Sequence, residues 1–300
     1  MSMSKFKCFL SMVSVIFMIC VAMNAGKSMA QEALSVRVLS FNLRYNNPGD
    51  GPNRWERRRE RVVELIARSS ADFVGAQEAL PDQVAYLREK LPAYAILARS
   101  READPARGEA APVLYRRDRW ELDPKQHGTF WLSDTPEVAG SITWDNACTR
   151  IVTWGRFLEK RSGRAIYGFN THFDHRGRAP REKSAVLLAE RIARRVGSDP
   201  VLLTGDFNAG EKSMPIRYLQ GKVPGSPVEL LETFRAVHPD AKGVGTFNGF
   251  QQAATGPKID YIFVSPDAKV TSASILRNQH DGRYPSDHFP VFAEVVFPRK

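Results

Sequence analysis

The chain has 300 residues, 43 Lys and Arg against 33 Asp and Glu for a formal net charge of +10, and only three cysteines. That length can bury a hydrophobic core as one domain, and so few cysteines exclude a small disulfide-stapled scaffold. The charge suits a polyanionic or phosphorylated substrate, yet solubility alone accounts for it equally well, so it selects no partner.

Residues 1–30 read as a secretory signal: Lys5 and Lys7, an apolar run over 9–23, then Ser28-Met29-Ala30 before the expected cleavage. The run is shorter than the roughly 18 apolar residues of a spanning helix, and it contains Ser11 and Ser14, which argues against an uncleaved anchor. Cleavage removes Lys5, Lys7 and Lys27, leaving 40 basic and 33 acidic residues, a net of +7. Cys8 and Cys20 leave as well, so Cys148 has no intrachain partner. The expectation is an exported, monomeric, periplasmic or extracellular protein whose single domain spans 31–300.

In chain order, residues 34–42 alternate apolar and polar and predict a strand ending at Asn42. A helix is expected over 55–68, with Val62, Leu65, Ile66 and Ser69 on one side. Its run Arg57-Arg58-Arg59 is interleaved with Glu56, Glu60 and Glu64 and reads as a solvated charged face. A strand over 72–77 delivers Glu78, and Leu80-Pro81-Asp82 opens a second helix. Strands over 94–99 and 113–117 flank a loop rich in Arg, Glu and Ala. Residues 129–144 set Trp131 and Trp144 among turn formers, as core or loop anchors. A hairpin through Arg161-Ser162-Gly163 joins strands over 149–158 and 165–171, the second running into Asn170-Thr171-His172. A helix over 180–196 follows, then an apolar strand over 200–204 that delivers Gly205-Asp206-Phe207-Asn208. Residues 209–256 read as looser chain. Strands over 258–265, 270–276 and 289–297 complete the set, the last preceded by Ser286-Asp287-His288. Strands and helices spread through the whole chain predict an α/β fold of layered sheets with helices outside.

Six strand ends carry polar residues where the pattern calls for apolar ones: Asn42, Glu78, Asn170 with His172, Asp206 with Asn208, Asp260, and Asp287 with His288. Each alone has an ordinary turn or cap explanation, except Asp260, whose carboxylate sits in an apolar strand and is costly unless paired. If the ends share one rim, Glu78, Asp206, Asp260 and Asp287 crowd four carboxylates together, and a divalent cation relieves that crowding. Oxygen ligands favour Mg²⁺ or Mn²⁺ over zinc, for which His172-x-x-His175 is a poorly supported alternative.

The series Ser40-Phe41-Asn42, Gln77-Glu78, Asn170-Thr171-His172, Gly205-Asp206-Phe207-Asn208, Ile259-Asp260-Tyr261 and Ser286-Asp287-His288 resembles, in order, the endonuclease/exonuclease/phosphatase superfamily of metal-dependent phosphoesterases. The resemblance covers residues 35–297. It implies a four-layer α/β/β/α sandwich with the site at one rim of two face-to-face sheets. It also implies roles: Glu78 as principal metal ligand, with Asn42, Asp287, Asp206 and Asn208 beside it, and His288 as general base oriented by Asp260. His172 and Asn208 would bind phosphoryl oxygens, and Asp206 would position the nucleophile or protonate the leaving group. Asn170, His175, Arg150 and Arg181 are the further substrate contacts to expect. The loops match no subgroup of known substrate, so the substrate stays open among phosphorylated small molecules, lipid headgroups and nucleic acid, with no stable protein partner. A non-catalytic phospholigand-binding member is the reading from a different class. The imidazole backed by a carboxylate at 288 and 260 argues for an enzyme.

Overall fold

The computed structural model describes residues 33–253 and 256–299; the expected signal segment lies outside them. In chain order come β1 (Leu34–Asn42), α1 (Trp55–Ser69), β2 (Phe73–Gln77), α2 (Pro81–Lys90), β3 (Tyr94–Leu97), β4 (Val113–Arg116), β5 (Trp120–Trp131), β6 (Ile151–Glu159), β7 (Ala165–His172) and α3 (Arg178–Ala193). Then follow β8 (Val201–Asp206), α4 (Met214–Leu219), β9 (Leu231–Glu232), α5 (Thr233–Val237), β10 (Asp260–Val264), β11 (Lys269–Ile275) and β12 (Val291–Phe297). Among the described residues no helix is long and apolar enough to cross a membrane.

The strands form two six-stranded sheets, ordered β11-β12-β1-β2-β4-β3 and β5-β6-β7-β8-β10-β9. Both are mixed, with β1–β2 and β7–β8 parallel. Val62 and Ile66 of α1 and Val84 and Leu87 of α2 pack on Leu39, Phe41, Val74 and Ala76, covering the outer face of the first sheet. Ala185, Leu188 and Ile192 of α3 and Ile216 of α4 cover Tyr167, Phe169, Leu203 and Phe263 on the second. Between the sheets lie Val36, Val38, Phe73, Ile166, Leu202, Ile262 and Val295. The expected α/β/β/α layering is present.

The strand period of two decides where chemistry can collect. The inward row that begins Val36, Val38 continues to Ser40 and Asn42, and Phe73 is followed by Gly75 and Gln77. Leu202 leads to Thr204 and Asp206, and on antiparallel β10 the row Val264, Ile262 ends at Asp260. One end of the inter-sheet space is therefore apolar and the other polar. The polar rows interlock: Gly205 N donates to Ser40 Oγ at 3.1 Å and Asn42 Nδ2 to Asp206 Oδ2 at 3.0 Å. The sheets come so close here that a Cβ at Gly75 would lie 1.9 Å from Thr204 Oγ1.

The structure departs from the sequence reading in several places. No strand was expected over 120–131, yet β5 edges the second sheet. Its register shift between Leu122 and His127 absorbs Pro124, which an edge strand tolerates. The segment 209–256 contains two short helices and β9. The third helix ends at Ala193, which leaves Val196 exposed beyond it. Arg58, expected on a solvated face, is only 1% exposed.

Candidate active site

At the polar end a cavity of about 640 Å³ is lined by Arg44, Glu78, Arg150, His172, His175, Asp206, Asn208, Asp287 and His288, with Arg101, Glu109, Cys148 and Phe247. Asn42 and Asp260 stand behind it, almost wholly buried.

Asp260 is the last inward residue of its row on β10, and the loop before β12 brings His288 over it. His288 Nδ1 donates to Asp260 Oδ2 at 2.9 Å, which leaves Nε2 as the working nitrogen, 3.8 Å from Asp206 Oδ2. Segment 246–250 supports the pair: Thr246 Oγ1 accepts from Ile259 N and Asp260 N, and Asn248 N donates to Asp287 O at 2.7 Å. The Phe247 ring meets the His288 ring edge-on, 5.2 Å between centroids. Burial alone would lower the pKa of His288, but the charges of Asp260 and Asp206 outweigh it and raise it well above the usual imidazole value.

Asp206 closes the second strand row. Its Oδ2 accepts from Asn42 Nδ2 and lies 3.4 Å from His172 Nε2, while Oδ1 accepts from Asn208 N. Burial, then the charge of Asp260, pushes its carboxyl up to about 7, a value suited to giving or taking a proton near neutrality. Asn208 Nδ2 donates to His172 Nε2 at 3.0 Å and to Phe173 O, which fixes a neutral His172 with its proton on Nδ1. Burial, followed by the charges of Arg150 and Arg101, accordingly holds His172 well below its usual value.

Glu78 follows the inward end of β2 with φ of 61°, in the left-handed region that costs a residue with a Cβ roughly 1–2 kcal/mol. Two donors hold it there: Asn42 Nδ2 to Oε1 at 3.1 Å and Tyr45 N to Oε2 at 3.0 Å. Burial, opposed by the His288 charge and reinforced by that of Glu78, raises the Asp287 carboxyl. Carboxylates crowded in this way, with amide groups between them, form an oxygen-rich donor set that fits a hard divalent cation. Ligating atoms of Asp206, Asp260 and His288 also lie within 4.8 Å of one another. There, however, the Nδ1–H of His288 already occupies Asp260 Oδ2, so that trio reads as a proton-handling group.

Two expected substrate contacts fall elsewhere. Asn170 is sealed between the sheets, with Nδ2 donating to Ala76 O and Pro112 O and Oδ1 accepting from Gln77 Nε2 and Thr204 Oγ1. Every hydrogen-bonding atom of its side chain is used, so it clamps the sheets and has none left for a substrate. Arg181 lines a neighbouring cleft that shares Asn208 with the cavity. His175 and Arg150 do line the cavity, joined by Arg150 Nη2 to His175 Nδ1 at 3.1 Å.

The sequence reading also overlooked residues. Arg44, paired with Asp50 at 2.9 Å, stands 3.6 Å from Asp287 Oδ2. Arg58 donates to the carbonyls of Leu43, Arg44, Tyr45, Asn53 and Pro285, tying the chain after β1 to the loop that carries Asp287 and His288. Its spacing held the signal: Trp55, Arg58, Val62 and Ile66 are the buried residues of α1 and lie on one stripe.

Residues 39–288 match the model of the Endonuclease/Exonuclease/phosphatase family. A structure from Bacteroides vulgatus, described as an endonuclease/exonuclease/phosphatase, is 35% identical, with a TM-score of 0.80 over 88% of this chain and 100% of that one. The mannosyl-6-phosphatase of Bacteroides thetaiotaomicron is 33% identical, with a TM-score of 0.79 over 87% of this chain and 100% of that one. A protein of Acanthamoeba polyphaga mimivirus is 32% identical over 167 residues, which cover 53% of this chain and 61% of that protein.

Proposed function

The chain belongs to the Endonuclease/Exonuclease/phosphatase family, a superfamily of phosphoesterases, and on that premise we propose that it is an exported, metal-dependent hydrolase of small phosphorylated molecules. The observation that carries the reading is the buried Asp260–His288 pair at 2.9 Å, with the free Nε2 facing a cavity that also holds Glu78, Asp206 and Asp287. A binder of phosphorylated ligands has no use for an imidazole oriented by a carboxylate.

In this reading Asp260 fixes the tautomer of His288 and stabilises its charge as Nε2 takes a proton from water. Asp206, with its carboxyl near 7, positions that water or returns a proton to the leaving oxygen. Asn208, with both Nδ2 hydrogens on His172 Nε2 and Phe173 O, orients His172 beside Asp206 at the cavity wall, where the two shape the side on which the phosphoryl group would rest. A Mg²⁺ or Mn²⁺ ion held by Glu78 and Asp287, with Asn42 behind them, would supply positive charge that polarises the phosphate and brings His288 down toward the range of a base.

The size of the cavity and the likeness to a mannosyl-6-phosphatase over that whole chain support a phosphorylated sugar or a similar small molecule. The test is a panel of hexose phosphates, an oligonucleotide and sphingomyelin, incubated with chelator-stripped protein and then with Mg²⁺ or Mn²⁺. Phosphate release from the hexose phosphates supports the reading. Cleavage confined to the oligonucleotide would make the protein a nuclease, and no metal-dependent turnover of any substrate would remove the hydrolase.

A further inference from the structure

Three guanidinium groups line the cavity, and they are not equivalent. Arg44 is neutralised by Asp50 at 2.9 Å, and Arg101 by Glu109 at 2.6 Å. Arg150 has no carboxylate within ion-pair distance among the described residues. Its Nε has no hydrogen-bond partner, and its one polar side-chain contact is Nη2 to the neutral His175. Yet it is only 4% exposed. A buried charge is costly unless it is closely paired, and this one meets the carboxylates of Glu109 and Asp174 only beyond ion-pair distance. The position is fixed from outside: Leu132 N donates to Arg150 O at 2.8 Å, and the next residue begins β6. The guanidinium is thus held at the cavity wall with most of its hydrogen-bonding capacity unused.

We propose that Arg150 receives the second negative charge of a phosphomonoester, and that this contact makes the enzyme a monoesterase that discriminates against diesters. The inference rests on the phosphoesterase reading above and specifies it. A monoester offers three terminal oxygens and a charge near −2 at neutral pH, whereas a diester offers two and a charge of −1. Glu78, Asp206 and Asp287 bring carboxylates to the cavity, and Arg44 and Arg101 are already paired, so the additional oxygen of a monoester has Arg150 as its remaining closely unpaired counter-charge. The planar fork suits two oxygens of one phosphate, and the bond to His175 sets its orientation. With a diester bound, that oxygen would carry an organic group and the arginine would stay unpaired.

The test compares the parent with Arg150→Gln and Arg150→Lys on nitrophenyl phosphate and bis(nitrophenyl) phosphate, which share a leaving group. We expect the parent to favour the monoester. Arg150→Gln should lower kcat/KM for the monoester by about 100-fold and for the diester by less than about 5-fold, with Arg150→Lys between. Thermal unfolding of metal-free protein gives a second readout. Inorganic phosphate should raise the Tm of the parent but not of Arg150→Gln, and dimethyl phosphate should raise neither. Without phosphate, Arg150→Gln should unfold at or above the parent temperature, because it removes an unpaired buried charge. A lower Tm for the variant, an equal loss on both esters or a parent that prefers the diester would overturn the assignment. Should the parent turn over neither ester with any metal while phosphate still protects it through Arg150, the hydrolase reading fails and the phosphate contact stands.

Discussion

Replacing Arg58 with methionine keeps the length and most of the volume of the side chain but removes all of its donors. The wild-type guanidinium donates to five carbonyls, among them Asn53 O at 2.9 Å and Pro285 O at 3.1 Å. Burial opposes its charge and pulls its pKa down to about 10, a penalty of ~3 kcal/mol against the ionised form. Hydrogen bonds from a charged donor contribute about 1.5–3 kcal/mol each, so five of them exceed that penalty even at the low end of the range. Some of the freed carbonyls will find water, and the balance is a predicted loss of about 3–5 kcal/mol for Arg58→Met. Arg58→Lys, which can reach two or three of the carbonyls, should fall between. Urea unfolding at constant m-value is the assay. Because Arg58 joins the 43–45 segment to Pro285, the lysine variant should also lose turnover while remaining folded. An Arg58→Met protein within ~1 kcal/mol of the parent would refute the view that this arginine clamps the site.

Asp260→Asn keeps the shape of the pair but disturbs the tautomer and charge of His288, and should lower kcat by about 10²–10⁴ with little change in KM, as steady-state kinetics would show. The two buried histidines should give metal-free stability opposite pH dependences. The depressed pKa of His172 means that only the unfolded chain takes up a proton just below pH 6.5, so stability falls as the pH drops there. The raised pKa of His288 adds stability that is fully present below 6.5 and is lost as pH rises through its folded value. Denaturant melts of His172→Gln against parent between pH 6.5 and 5 should show the acid slope reduced by up to ~1.4 kcal/mol per pH unit. Gly75→Ala places a methyl 1.9 Å from Thr204 Oγ1 and 2.6 Å from Asn170 Oδ1 and should cost about 1–3 kcal/mol or more by urea unfolding, although the residue lies outside the cavity lining.

What was legible in the sequence follows from strand periodicity. Asn42, Glu78, Asp206, Asp260 and Asp287 with His288 were recognisable because each interrupts or ends an apolar pattern, and the fold brings these strand ends to one rim. Asn170 met the same criterion and proved a clamp, since periodicity gives the face of a residue but not its depth: two positions along the strand separate a sealed Asn170 from a cavity-lining His172. The strand at 120–131 was hidden by its polar edge position and by the bulge that absorbs Pro124. At Arg58 composition and position conflict: three adjacent arginines among glutamates describe a surface, while the helical stripe through Trp55, Val62 and Ile66 describes the interior. Arg101 and Glu109 sit in an irregular loop with no period to read, and only the folded chain brings them to the cavity.

The central claim is that His288, oriented by Asp260, activates water beside a metal-bound phosphate. Its most direct test is nitrophenyl phosphate turnover by chelator-stripped parent and His288→Ala, each with and without added Mg²⁺ or Mn²⁺. The expected result is turnover by the parent that depends on the metal and falls by about 10²–10⁴ in a variant that remains folded under the assay conditions. Turnover that survives chelation, or a His288→Ala protein as active as the parent, would contradict it.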